Sequence, residues 1–158
     1  MISVIFVCLG NICRSPMAEA VFRDLVRQKG LESKVQVDSA GIGEWHVGKP
    51  PHQGTCKVLS EHNITYDNIY ARQVSREDLH KFDLIIVMDK KNLSTIHGMI
   101  GESNVPIYLL TDFISGSNKS EIQDPFHSGD FEEVFHLIKL GCHGLLDYIL
   151  SKNNNRDD

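Results

Sequence analysis

Between residues 8 and 15 the chain runs Cys8-Leu9-Gly10-Asn11-Ile12-Cys13-Arg14-Ser15, with Pro16 next. An apolar run, Val4-Ile5-Phe6-Val7, leads into this segment and an amphipathic stretch follows it. That arrangement leaves the fold little freedom, because a buried strand must turn at once into a helix. Such a turn aims backbone N–H groups into one small concavity at the positive end of the helix dipole, which makes an oxyanion site. Cys8 sets a thiol on its floor and Arg14 a guanidinium in its wall.

The residue types suit this geometry one by one. A thiol at a helix N-terminus beside a cation ionises more readily than a free one, so Cys8 is the expected attacking group. Arg14 presents a planar fork that matches two oxyanion oxygens, which lysine cannot do. Gly10 permits close approach and unusual backbone angles. Asn11 can enter the left-handed region and tie the loop with its amide. Ser15 is expected to cap the helix or to donate to the Cys8 sulfur, and Pro16 to take the first helical position. Cys-x5-Arg alone occurs by chance, and a lone buried cysteine is ordinarily a small core residue. The preceding strand, Gly10 and the Ser-Pro helix start set this one apart.

The string from Cys8 to Pro16 resembles the phosphate-binding loop of the low-molecular-weight protein tyrosine phosphatases, in their bacterial pattern. The similarity continues through Met17-Ala18-Glu19-Ala20-Val21-Phe22, Asp38-Ser39-Ala40-Gly41, Trp45, Ala71-Arg72-Gln73-Val74, Met88-Asp89 and Asp124-Pro125. It spans nearly the whole chain.

Length and charge bound the remaining possibilities. With 158 residues the chain suits one domain, expected over 1–150, with a polar, flexible tail over 151–158. A formal net charge of −5 argues against nucleic acid or an anionic membrane as partner. No apolar run approaches the roughly 20 residues that span a bilayer. No signal peptide precedes the first strand, so a reducing cytoplasm is expected. The four cysteines lack zinc-ligand spacing. Cys56 and Cys142 fall in helix-like stretches and read as core residues. The eight histidines form no metal-binding pattern, so neither metal nor other cofactor is expected.

Four β-like runs stand out: 3–7, 35–37, 84–87 and 107–110. The first and third are continuously apolar, as for strands buried on both faces of a parallel sheet. Helical patterns alternate with them. After Pro16 one face carries Ala18, Val21, Phe22, Leu25 and Val26, with Gly30 as stop. A second helix is expected from about Pro51 to His62. Ser75-Arg76-Glu77-Asp78 marks a capped helix start, and Asp89 caps a stretch carrying Leu93 and Ile96. The last helix follows Asp130, with Phe131, Val134, Phe135, Ile138, Cys142, Leu145 and Ile149 on one face. The alternation predicts a three-layer α/β sandwich with a central, mainly parallel four-stranded sheet flanked by helices. Ligands in such folds bind beyond the carboxyl ends of the strands, where the Cys8 loop lies.

The resemblance implies a phosphomonoester hydrolase that acts on phosphotyrosine in proteins through a cysteinyl-phosphate and releases inorganic phosphate. A phosphate ester needs its leaving oxygen protonated. On its own Asp124-Pro125-Phe126 is a turn; the resemblance makes Asp124 the general acid beside catalytic Cys8 and Arg14. It also implies a substrate site formed by Leu9, Gly10, Asn11, Ile12, Cys13, Ser15, Trp45, Phe126 and His127, with His46 at its rim. Asn11, Ser15 and Ser39 would support the loop, and Cys8 with Cys13 could form a protective reversible disulfide. The partners implied are phosphotyrosine-containing proteins, with no nucleic acid and no membrane, and the chain as a monomer or weak dimer.

Departures from the family pattern matter here. Many relatives have two tyrosines after Asp-Pro, where this chain has Phe126 and His127. Animal members carry a loop-supporting histidine where Ile69 stands. Protein-arginine phosphatases of the same superfamily have threonine in place of Ile12 and share Asp-Pro-Phe, which keeps phosphoarginine as an alternative. Thioredoxin-coupled arsenate reductases need further cysteines after the third strand, and residues 80–100 hold none. A non-catalytic phosphate-binding module would not require Cys8, Arg14 and Asp124 together.

Overall fold

The computed structural model describes residues 1–101, 103–116 and 119–156, with side chains through Lys152. At its centre lies β1 (Ile2–Cys8) in a four-stranded parallel sheet with β2 (Val35–Gly41), β3 (Leu84–Val87) and β4 (Ile107–Leu109), in the order β2-β1-β3-β4. The chain leaves β1 toward β2 on one side and later returns to place β3 on the other. The loops after β1 and β3 therefore diverge, and a crevice opens at the carboxyl edge.

Both faces of the sheet are covered, which is why β1 from Val4 onward and all of β3 are apolar. Val4, Phe6 and Cys8 pack in one core with α1 (Arg14–Gln28), α2 (Gln53–Glu61) and α6 (Phe131–Arg156). Ile5 and Val7 pack in a second core with α3 (Arg76–Lys81) and α4 (Lys90–Ile100). Burying each of the valine, isoleucine and phenylalanine side chains among these contributes about 1.5–3 kcal/mol. The period-2 alternation of β1 also decides that the Cys8 side chain belongs to the α1 face.

Local signals explain the helix ends. Gly30 takes φ 67° after α1, and the Leu31 N–H reaches back to the Val26 carbonyl at 2.9 Å, closing the last turn. Ser75 and Asp78 form a reciprocal capping box on α3. Asp89 accepts the Asn92 N–H at 2.7 Å to start α4, and Asp130 accepts the Glu133 N–H at 3.2 Å to start α6.

Several boundaries differ from the sequence reading. α1 begins at Arg14, with Cys13 as an N-cap that gives no side-chain bond. Ser15 is thus inside the helix rather than its cap, and Pro16 is the third helical residue rather than the first. The proline is tolerated because N–H groups of the first turn have no intrahelical acceptor. α2 begins at Gln53, after His52 caps it with Nδ1 accepting the Gly54 N–H at 3.0 Å. β2 continues to Gly41, although Asp38 and Ser39 end its apolar signal. Leu110 leaves β4 for a 3₁₀ turn (Leu110–Phe113). α6 continues to Arg156, so residues 151–156, which the sequence sets apart as a tail, extend that helix; 157 and 158 lie outside the described residues. Cys142 is core as expected, but Cys56 is only half-buried, its thiol 3.4 Å from the Pro51 carbonyl.

Candidate active site

Cys8 ends β1, and the chain then folds over its own sulfur. The reversal is made at Asn11, which takes φ 56°, a conformation asparagine tolerates better than most residues. Three bonds hold it there. Its Oδ1 accepts the Arg72 backbone N–H at 3.0 Å, and its Nδ2 donates to Ser15 Oγ at 2.7 Å and to Ser39 Oγ at 3.0 Å. Gly41, opposite Cys8 in the register, leaves room for this turn: a Cβ there would lie 3.0 Å from Asn11 N and from the Gly10 carbonyl carbon. Around the other side, the Ile12 carbonyl accepts the His52 N–H at 2.7 Å and the Cys13 carbonyl accepts the Thr55 hydroxyl at 3.2 Å. The Cys8 sulfur sits inside this frame, 3.3 Å from the Asn11 N–H and 2.9 Å from Ser15 Oγ. Ser15 thus contacts the Cys8 sulfur, and either atom could be the donor.

Arg14 is 2% exposed. Its Nη1 donates to Asp89 Oδ2 at 2.7 Å and to the Ile122 carbonyl at 2.8 Å. Nη2 lies 3.7 Å from Asp124 Oδ2, and Nε is buried without a partner among the described residues. Buried donors rarely stay unpaired, so the Nε–Nη2 edge is a fork awaiting two oxygens. Burial works against the Arg14 cation, but Cys8, Asp89 and Asp124 outweigh it and hold the guanidinium above its ordinary range.

Asp124 caps the short helix α5 (Pro125–Ser128), with Oδ1 accepting the Phe126 N–H at 3.0 Å. Oδ2 is the oxygen turned toward Arg14. Together these groups border a cavity of about 170 Å³. Leu9, Gly10, Ile12 and Cys13 line it from the loop, and Trp45, His46, Phe126 and His127 from the rim. Asn11, Ser15 and Ser39 do not line the cavity; their side chains are bonded to one another on the side away from it. Trp45 and Phe126 are both more than half exposed and offer open aromatic faces. Gly10 is needed for approach rather than for its backbone angle, because a Cβ there would come within 3.1 Å of the His46 ring.

The Cys13 thiol is pushed up to about 12, by burial first and then by Asp124 and Cys8. Cys8 and Cys13 are both free thiols here.

Three contributors escape a sequence reading. Asp89 is legible as a helix cap, yet its second oxygen holds Arg14. His52 stacks on Phe131 at 5.1 Å and meets Phe126 edge-on at 5.7 Å, bracing the rim. Glu19 is buried in α1 and accepts the Ser39 hydroxyl at 2.6 Å. The side-chain carbonyl of Asn11 is met by the Arg72 main chain, with no side chain from position 69 involved.

A family model described as low molecular weight phosphotyrosine protein phosphatase matches residues 3–156. The low molecular weight protein-tyrosine-phosphatase YfkJ of Bacillus subtilis is 54% identical over 147 residues, covering 92% of this chain and 94% of its own. Its crystal structure superposes with a TM-score of 0.94, covering 96% of each chain. PtpA of Staphylococcus epidermidis, likewise named a low molecular weight protein-tyrosine-phosphatase, is 40% identical over 99% of both chains. The structure of a Drosophila arginine phosphatase is 34% identical, with a TM-score of 0.84 over 92% of this chain and 96% of that one.

Proposed function

This chain belongs to the low molecular weight phosphotyrosine protein phosphatase family, and we propose from its own geometry how its residues divide the work. It is a cysteine-dependent protein-tyrosine phosphatase that proceeds through a cysteinyl-phosphate, the mechanism general to the family. One observation carries the assignment of roles: Cys8, the open edge of Arg14 and Asp124 converge on a single cavity with an aromatic rim.

In the first step the Cys8 thiolate attacks phosphorus in line. A sulfur–phosphorus bond forms as the phosphorus–oxygen bond to the tyrosyl group breaks. Asp124 gives its proton to the departing phenolate through Oδ2, since Oδ1 is held by the Phe126 N–H. In the second step Asp124 takes a proton from water, whose oxygen attacks phosphorus. The thiolate leaves and inorganic phosphate is released. Throughout, Arg14 Nε and Nη2 and the N–H groups at the start of α1 hold the equatorial oxygens. Asp89 and the Ile122 carbonyl fix the guanidinium through Nη1, so the fork is oriented before substrate arrives. Trp45 and Phe126 flank the substrate ring. A peroxide that oxidises Cys8 to the sulfenic acid, and is itself reduced to water or an alcohol, would let the Cys13 sulfur attack Cys8 and close a disulfide, the sulfenic hydroxyl leaving with the Cys13 proton as water.

The same reading takes phosphotyrosine-containing proteins as substrates, in the cytoplasm, with the enzyme a monomer or weak dimer and no metal. Among the described residues no helix is long and apolar enough to cross a membrane. Phosphoarginine is the second substrate to weigh, because the Drosophila relative is named an arginine phosphatase and Phe126 follows Asp-Pro here. Ile12 favours phosphotyrosine: it is buried beside Cys13 and Ala71 with Phe131 against them, and it offers the cavity only methyl and methylene groups.

The test compares wild type with Cys8→Ser on phosphotyrosine and phosphoarginine peptides, with EDTA and with vanadate. Cys8→Ser should abolish turnover, vanadate should inhibit and EDTA should leave the rate unchanged. Activity that survives Cys8→Ser or vanishes in EDTA rejects the mechanism.

A further inference from the structure

Behind the phosphate loop, away from substrate, a line of hydrogen bonds runs from the nucleophile to a buried carboxyl. Cys8 Sγ lies 2.9 Å from Ser15 Oγ, which lies 2.7 Å from Asn11 Nδ2. Asn11 Nδ2 is 3.0 Å from Ser39 Oγ, and Ser39 Oγ is 2.6 Å from Glu19 Oε1. All five residues are buried.

The direction of every proton follows from Asn11. Its Oδ1 faces the Arg72 N–H, a donor that cannot reverse, so Nδ2 must face the two hydroxyls and gives one hydrogen to each. Ser39 Oγ already accepts, and its own proton has one short outlet, Glu19. Ser15 Oγ accepts as well, and its proton goes to the Cys8 sulfur, the Ala40 carbonyl being more distant at 3.5 Å. Remove the acceptor at Glu19 and the Ser39 proton has no outlet in the line. Ser39 then turns, Asn11 loses a partner, and the donation from Ser15 is no longer fixed. Burial is the strongest influence on Glu19; Asp38 also opposes its ionisation, while the Ser39 hydroxyl, Arg23 and Arg72 ease it. A proton on Oε2 leaves Oε1 an acceptor, so the line persists whether Glu19 is charged or neutral.

We propose that Glu19 is a positioning residue for phosphoryl transfer, the terminal acceptor that directs the buried line so that Ser15 donates its hydroxyl proton to the Cys8 sulfur. This rests on Cys8 being the nucleophile.

Glu19→Gln keeps an acceptor oxygen and Glu19→Ala removes it. The rate at which iodoacetate alkylates Cys8 is followed against pH for both, with the modified residue identified by mass spectrometry and folding checked by circular dichroism. Glu19→Ala should move the alkylation profile to higher pH and lower kcat on an aryl phosphate about tenfold or more with KM little changed, as for one lost donor to an anion. Glu19→Gln should restore the wild-type profile. Ser15→Ala should reproduce the shift, and Ser15→Ala with Glu19→Ala should be no worse than Ser15→Ala alone. An unshifted Glu19→Ala profile, equal impairment of the Gln and Ala variants, or additive effects would each overturn the proposal. If Glu19→Ala does not fold, Ser39→Ala breaks the same link from β2 and must show the shift. Alkylation at a site other than Cys8, or turnover by Cys8→Ser, would instead reject the nucleophile assignment.

Discussion

Asp89 Oδ2 lies 2.7 Å from Arg14 Nη1, while Oδ1 of the same carboxylate caps α4. One side chain thereby ties the start of a helix to the Arg14 guanidinium. Asp89→Asn separates the two duties, because asparagine caps a helix as well as aspartate does. We expect thermal stability close to wild type and kcat/KM on aryl phosphate lower by about 10- to 100-fold, the cost of leaving the buried cation less well held. Parallel melting and steady-state assays would show it.

Asp124→Asn also keeps its cap, on α5. It should slow kcat on a phenyl phosphate by roughly 10² or more, the usual contribution of a positioned acid. Vanadate binding, which needs Cys8 and Arg14 rather than a proton donor, should change little. Equal losses in kcat and vanadate affinity would remove Asp124 from the acid role.

Ile12→Thr places a hydroxyl where the cavity now has only carbon. Turnover of a phosphoarginine peptide relative to a phosphotyrosine peptide should rise. An unchanged ratio would mean that Ile12 does not select the substrate.

Glu19 carries a stability signature. Burial, with Asp38 adding, pushes its carboxyl from 4.5 up to about 7. Between those pH values the folded protein holds a proton that the unfolded chain has released. The stabilising contribution is therefore present below about 4.5 and lost as pH rises through about 7. Glu19→Gln cannot titrate, so its stability relative to wild type should grow by roughly 2–3 kcal/mol between pH 5 and pH 8. Urea unfolding of both proteins across that range measures the difference.

Gly144 faces the 3₁₀ turn so closely that a Cβ there would collide with the Phe113 carbonyl. Because the obstacle is backbone, α6 must shift. Gly144→Ala should lower unfolding free energy by about 1–3 kcal/mol, despite the better helix propensity of alanine. Denaturant titration gives the value, and activity per folded molecule should persist at low temperature.

What the sequence disclosed followed from local chemistry. The apolar run before Cys8, the left-handed asparagine at position 11 and the caps at Ser75, Asp89 and Asp130 each express a rule acting over a few residues, and each holds in the fold. What stayed hidden depends on strands meeting across long stretches of chain. Asp89 reaches Arg14 because β3 lies beside β1, a neighbour relation that no local pattern encodes. Asp38 and Ser39 interrupt the apolar signal of β2, since they serve the loop and Arg72 rather than the core. Pro16 misled the helix start for a similar reason: the loop needs its helix to begin at Arg14, and the proline can be carried two positions inside.

Of the three bonds that hold Asn11 in its left-handed turn, the one to its side-chain carbonyl comes from a main-chain donor, the N–H of Arg72. The Arg72 guanidinium can therefore vary without deleting that bond, and among replacements only proline would erase the donor. On the donor side, this one restraint on the loop is therefore nearly immune to point mutation, unlike the two that Ser15 and Ser39 supply.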